Sequence, residues 1–162
     1  MNIRKVETAD ALNVAGIYNH YIQNTHHTFE TEPLTEDEMR TRIEKVTKSF
    51  PFLVAEGDNE ILGYAYATQF KLRNAYKHSS EVSIYVKNAA KQKGVGTSLY
   101  TSLFDELYET HIHTIVAGIS LPNEASVRFH EKLGFKKVAH FREIGYKLGR
   151  WIDVGYWEML TV

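Results

Sequence analysis

Three stretches of the 162-residue chain carry residue types and spacings that could do chemistry. From Glu81 to Thr97 the sequence reads Glu-Val-Ser-Ile-Tyr-Val-Lys-Asn-Ala-Ala-Lys-Gln-Lys-Gly-Val-Gly-Thr, an alternating strand, a glycine-rich loop and the start of a helix. Gly94 and Gly96 free the backbone to turn several N–H groups toward one point, and the helix end adds partial positive charge. With Lys91 and Lys93 beside it, such a loop suits a pyrophosphate; an ordinary tight strand-to-helix turn explains the same glycines. Neither a full Gly-x-Gly-x-x-Gly after a first strand nor a Gly-x-x-x-x-Gly-Lys-Ser/Thr is present.

In the second stretch, Asn123, Ser126 and His130 fall at i, i+3 and i+7, so one helix face carries all three among apolar Val127, Phe129 and Leu133. A capping Asn123 with an exposed serine and histidine is the plainer alternative. The third stretch runs from Phe70 to Tyr76, where Lys71 and Arg73 share a side if a strand reaches that far. They could grip an anion, the arginine through two parallel bonds, or serve only as a solvated edge. Glu81 is the carboxylate nearest the glycine loop in the chain, a candidate base or a salt-bridged strand-end group. His26-His27 and His111-Ile-His113 lack a close acidic partner, so no metal is expected.

The elements that must position these residues follow from periodicity. Ile3 to Val6 predicts a strand, and Thr8 predicts the cap of a helix bearing Val14, Ile17, Tyr18 and Tyr21. Thr35 to Glu38 forms a capping box ahead of Met39, Ile43 and Val46. Phe52–Glu56 and Ile61–Phe70 predict a hairpin turned at Gly57-Asp-Asn. Strands are expected at Glu81–Val86, Thr114–Ser120, about Val138–Tyr146 and Ile152–Leu160. One helix carries Leu99, Leu103 and Leu107, and another runs from Asn123 to a stop at Gly134. The order βααβββαβαββ predicts a mixed α/β sandwich in one domain, residues 1–162.

Composition narrows the function classes. Nineteen Lys and Arg balance twenty Asp and Glu for a net charge of −1, without the basic excess of a duplex binder. With no cysteine, disulfides, thiolate metal sites and a cysteine nucleophile are excluded. No apolar leader or long uncharged apolar run is seen, so a soluble, cytoplasmic protein without a membrane partner is expected.

Together these pieces resemble the GNAT superfamily of acyl-CoA-dependent N-acyltransferases. Lys91-Gln-Lys-Gly-Val-Gly96 is similar to that family's Gln/Arg-x-x-Gly-x-Gly/Ala loop, with lysine in the Gln/Arg place. The likeness is closer to phosphinothricin N-acetyltransferases, through Thr28-Phe-Glu-Thr-Glu-Pro33, Lys71-Leu-Arg-Asn-Ala-Tyr76, Leu121 to Glu131 and Gly145 to Val154. Similar proteins also acetylate methionine sulfone or sulfoximine.

The resemblance implies a central mixed, mostly antiparallel sheet with about four helices, and acetyl-CoA as co-substrate. It implies that the backbone of Ile84, Tyr85 and Val86 pairs with the pantetheine arm and that Asn123 bonds the same arm. Gln92, Lys93, Gly94, Val95, Gly96 and Thr97 would hold the pyrophosphate. A free amine would attack the thioester directly, with Glu81 as base. His130 stands where many members place a tyrosine acid, which leaves it as acid, base or hydrogen-bond donor. Lys71, Arg73 and Tyr76 would hold the polar ends of a small amino-acid-like substrate, with Phe29 along its methylenes, and a homodimer is expected. A silent acyl-CoA-binding module and a protein N-terminal acetyltransferase are the competing readings.

Overall fold

The computed structural model describes residues 1–91 and 93–161. Its elements are β1 (Asn2–Lys5), α1 (Ala11–Asn24), α2 (Glu36–Thr47), β2 (Phe52–Gly57), β3 (Glu60–Gln69), β4 (Ser79–Val86), α3 (Val95–Tyr108), β5 (Thr114–Leu121), α4 (Glu124–Lys132), β6 (Lys136–Lys147) and β7 (Arg150–Leu160). This is the βααβββαβαββ order expected from periodicity. A seven-stranded sheet runs β1-β2-β3-β4-β5-β7-β6. Every neighbouring pair is antiparallel except β4 and β5.

The central strands are apolar on both sides because both faces are covered. Along β2, Phe52 and Val54 pack toward α1 and α2, while Leu53 and Ala55 face α3. Leu99, Leu103 and Leu107 of α3 are fully buried in that second layer, each contributing about 1.5–3 kcal/mol by leaving water. The β2–β3 hairpin turns at Asp58 and Asn59, both at positive φ, a conformation that short polar side chains tolerate. No described helix is long and apolar enough to cross a membrane.

Local signals placed most boundaries. The Thr35 side chain accepts from the Glu38 N–H at 3.2 Å, and Glu38 accepts from the Thr35 N–H at 2.7 Å, closing the expected capping box. The start of α1 differs from expectation. Thr8 does not cap it; residues Thr8–Asp10 form a short 3₁₀ turn closed reciprocally by Glu7 and Asp10. The Asp10 carboxylate is gripped by Arg4 at 2.8 and 2.9 Å and accepts from the Glu7 N–H, which outweighs a neutral hydroxyl. At its other end α4 stops at Lys132, and Gly134 takes the left-handed turn at φ +99°.

Candidate active site

β4 and β5 pair over three positions only, Ser79 with Thr114, Ser80 with Ile115 and Glu81 with Val116. Beyond Glu81 they part, β4 staying with β3 and β5 with β7. Phe70 N–H donates to Ser79 and Lys87 N–H to Leu62, so odd positions of β4 direct their peptide groups toward β3. By alternation, Ile84 and Val86 direct theirs into the opening, past the last rung that Val82 makes with β5. The Tyr21 hydroxyl, from α1, reaches into it and donates to the Val86 carbonyl at 2.5 Å.

On the α3 side of the opening lies a cleft of about 450 Å³. Its floor is Ile84, Tyr85 and Val86, and its far wall includes Asn123, Ser126 and His130. Gly94, Val95, Gly96 and Thr97 close one end, where the N–H groups of the first turn of α3 have no partner within the helix. Gly94 sits at φ +79°, which a glycine adopts without strain. A Cβ at Gly96 would lie 3.3 Å from the Phe129 ring and 3.6 Å from Ile84, so a side chain there narrows the cleft. Lys91 lines it with its ammonium 5.3 Å from the Tyr21 ring centre. Lys93 is exposed off the lining, and Gln92 lies outside the described residues.

On the other side lies a second cavity, of about 820 Å³. Phe29, Lys71 and Tyr76 line it, and the Lys71 ammonium stands 5.5 and 5.9 Å from the Phe70 and Tyr76 ring centres. Arg73 is exposed and outside the lining, because a 3₁₀ turn at Asn74–Tyr76 replaces the strand that would have aligned it with Lys71. Glu81 faces this cavity, and burial raises its pKa above the ordinary carboxylate value. Its Oε1 lies 3.3 Å from where a Cβ of Gly118 would stand, so a side chain there would press on the carboxylate and on the Tyr156 ring. The two cavities meet at His27, Ser83, Tyr85, Gly118 and Ser120, which line both.

His130 is buried, and both ring nitrogens are engaged. Nδ1 donates to the Ser126 carbonyl at 2.8 Å, which leaves Nε2 to accept from the Tyr100 hydroxyl at 3.2 Å. Burial lowers the pKa of His130 and raises that of Tyr100, so the pair is neutral near pH 7. The expected shared face is therefore real, while the Asn123 carbonyl oxygen is spent on capping, 3.2 Å from the Ser126 N–H.

A split parallel seam above a glycine-led helix start is the geometry of a known family, and its domain model, "Acetyltransferase (GNAT) domain", matches residues 3–155. The chain belongs to the GNAT acetyltransferases. It is 40% identical over 158 residues to a phosphinothricin N-acetyltransferase of Streptomyces viridochromogenes, covering 98% of this chain and 86% of the relative. Identity is 32% over 160 residues to an L-methionine sulfoximine/L-methionine sulfone acetyltransferase of Salmonella typhimurium, covering 98% of this chain and 94% of the relative. A Salmonella typhimurium acetyltransferase structure with acetyl-CoA superposes at TM-score 0.97, 31% identical, over 100% of this chain and 94% of the other.

The residues that sequence reasoning missed in this GNAT site are Tyr21, His27 and Tyr100. Tyr21 and Tyr100 look like core aromatics in their helical stripes, and both pack as such. No spacing rule links Tyr100 to a histidine thirty residues on, a distance only the fold closes.

Proposed function

We propose that this protein transfers acetyl from acetyl-CoA to the free amine of a small amino-acid-like substrate, by direct attack of the amine on the thioester. The observation that carries this reading is the meeting of two cavities at the β4–β5 split, with a buried carboxylate on one side and a peptide-lined cleft on the other. The cleft fits a pantetheine arm: it offers backbone groups on Ile84 and Val86, the free amide N–H₂ of Asn123, and a glycine opening at Gly96. The N–H groups around Gly94–Thr97, with Lys91 near, suit the pyrophosphate. Substrate names borne by the relatives point to phosphinothricin, methionine sulfone or methionine sulfoximine as the acceptor class.

Glu81 is the base. An ammonium must lose a proton before it attacks, and a carboxylate whose pKa burial has raised holds that proton better than a solvated one. The C–N bond then forms as the C–S bond breaks, and the thiolate leaves with a proton. We assign the thiolate's proton to the Tyr100 hydroxyl on the cleft wall, which turns from His130 to the sulfur. Tyr100 is reprotonated from solvent as Glu81 releases the ammonium's proton to it. His130 acts as an acceptor that orients Tyr100. Lys71, Tyr76 and Phe29 hold the acceptor. Holding both reactants at the split supplies much of the rate.

A homodimer belongs to this reading. Tyr146 and Trp151, with ring centres 5.0 Å apart, are exposed on the β6–β7 hairpin and offer an apolar surface to a second copy. Light scattering that returns a monomer at micromolar concentration removes that part alone. For the reaction, the purified protein is mixed with acetyl-CoA and each of the three acceptors, and thiol release is followed. Acceptor-dependent release is expected. Acetyl-CoA binding without release from any amine turns the protein into a binding module and sinks the proposal.

A further inference from the structure

Five residues line both cavities, so whatever reacts at the split passes them: His27, Ser83, Tyr85, Gly118 and Ser120. Of their four polar side chains, Ser120 is already engaged. Ser120 donates to the His26 carbonyl at 2.6 Å. Ser83 stands opposite Tyr66 in the β3–β4 ladder, and the Tyr85 ring packs against Tyr18, Tyr21 and Tyr64. His27 differs. Among the described residues, neither of its ring nitrogens has a hydrogen-bond partner, although the ring is half-buried.

The loop that presents His27 is firmly held. Its neighbour His26 bridges the Pro122 carbonyl at 2.9 Å and the Arg150 guanidinium at 2.7 Å. One residue further on, the Thr28 carbonyl accepts from the buried Lys147 ammonium at 2.7 Å. An imidazole on an anchored loop, lining both cavities with no hydrogen-bond partner among the described residues, is placed to meet a ligand. Burial, then the neighbouring charges of His26, Lys91 and Lys147, push its pKa down to about 4, so at neutral pH it offers one N–H and one lone pair. The Lys91 and Lys147 ammonium groups make its surroundings attractive to an anion.

We infer that His27 determines acceptor specificity, its neutral imidazole N–H donating to the carboxylate of an amino-acid acceptor held where the two cavities meet. The inference rests on the transferase reading above and names the group that the acceptor must carry. With the carboxylate at His27, the side-chain end of the acceptor lies toward Lys71 and Tyr76 across the larger cavity.

The test compares methionine sulfone with its carboxamide, which keeps shape and amine but lacks the anion. His27→Phe keeps a flat ring without polarity, and His27→Gln restores an N–H donor. Turnover is measured alongside calorimetric binding of each acceptor to the CoA-saturated protein. For His27→Phe, the KM and Kd of methionine sulfone are expected to rise about tenfold or more, while those of the carboxamide stay within about twofold. KM for acetyl-CoA should hold, and His27→Gln should recover most of the loss. An equal loss against acid and carboxamide, or no rescue by Gln, makes His27 a packing residue and overturns the inference. Unchanged constants in His27→Phe overturn it while leaving the transferase reading intact. A wild-type protein that neither binds nor acetylates methionine sulfone, methionine sulfoximine or phosphinothricin overturns both.

Discussion

The cleft on the α3 side and the cavity on the β6–β7 side share a wall but are built from different materials. Peptide groups and small residues shape the first: the unpaired edge of β4, the start of α3, Gly94 and Gly96. Side chains shape the second: Phe29 from the α1–α2 loop, Lys71 and Tyr76 from the β3–β4 connection, Phe141, Ile144 and Tyr156 from the last two strands. Main-chain recognition suits an invariant partner, since it survives nearly any change of side chain. A side-chain cavity can be re-cut for a new amine by a few substitutions without disturbing the other half of the site. The split at Glu81 lets both kinds of recognition act on one pair of atoms.

The comparison is sharpest at Glu81, which serves only the acceptor side. Glu81→Gln should lower kcat by about 10²-fold or more at neutral pH and leave acetyl-CoA affinity unchanged, as steady-state kinetics and calorimetry would show. Stability should move the other way. Folding raises this pKa, so the ionised form is disfavoured in the fold and stability is lost as pH rises through the folded-state value. Glu81→Gln is therefore expected to melt higher than the parent at pH 7, with the difference closing below the ordinary carboxylate range. A lower melting temperature at pH 7 contradicts the assigned burial.

Next in size is the effect of filling the backbone-built side. Gly96→Val presses on Phe129 and Ile84 and should raise KM for acetyl-CoA about tenfold, with KM for the amine little changed. Equal rises in both constants would erase the distinction between the two halves. Tyr100→Phe should lower kcat by about tenfold, and adding His130→Phe should cost little more, because the two act as a unit. The acidic limb of the kcat/KM profile should persist in His130→Phe, since it belongs to Glu81. Smallest are the basic residues of the acceptor side. Lys71→Ala should cost about 1–2 kcal/mol in kcat/KM, whereas exposed Arg73→Ala should cost less than about 0.5 kcal/mol. The reverse ranking would move the anion site to the 3₁₀ turn.

Legibility in the sequence follows the same division. Elements set by local rules could be read directly: the capping box at Thr35, the Asp58-Asn59 turn, the leucine stripe of α3 and the Asn123 cap. The cleft was readable because strand, glycine loop and helix are contiguous between Glu81 and Thr97. At Thr8 the reading failed because the winning cap depends on Arg4, which reaches Asp10 from the other side of a turn. Arg73 was aligned with Lys71 by assuming that β3 continued, whereas the strand ends at Gln69. Tyr100 and His27 acquire their places from partners thirty to over a hundred residues away, and no spacing records that.

A seam of three residue pairs across the middle of a seven-stranded sheet also shapes how backbone protons exchange with solvent. Along β4, the amides of Ser83, Tyr85 and Lys87 are locked into the ladder with β3, while those of Ile84 and Val86 face the opening. Deuterium should therefore enter this strand with a two-residue rhythm, fast at even positions and slow at odd ones. A molecule whose own amides pair with the free edge completes the rung and flattens that rhythm. One strand thus reports occupancy residue by residue, whether or not turnover follows.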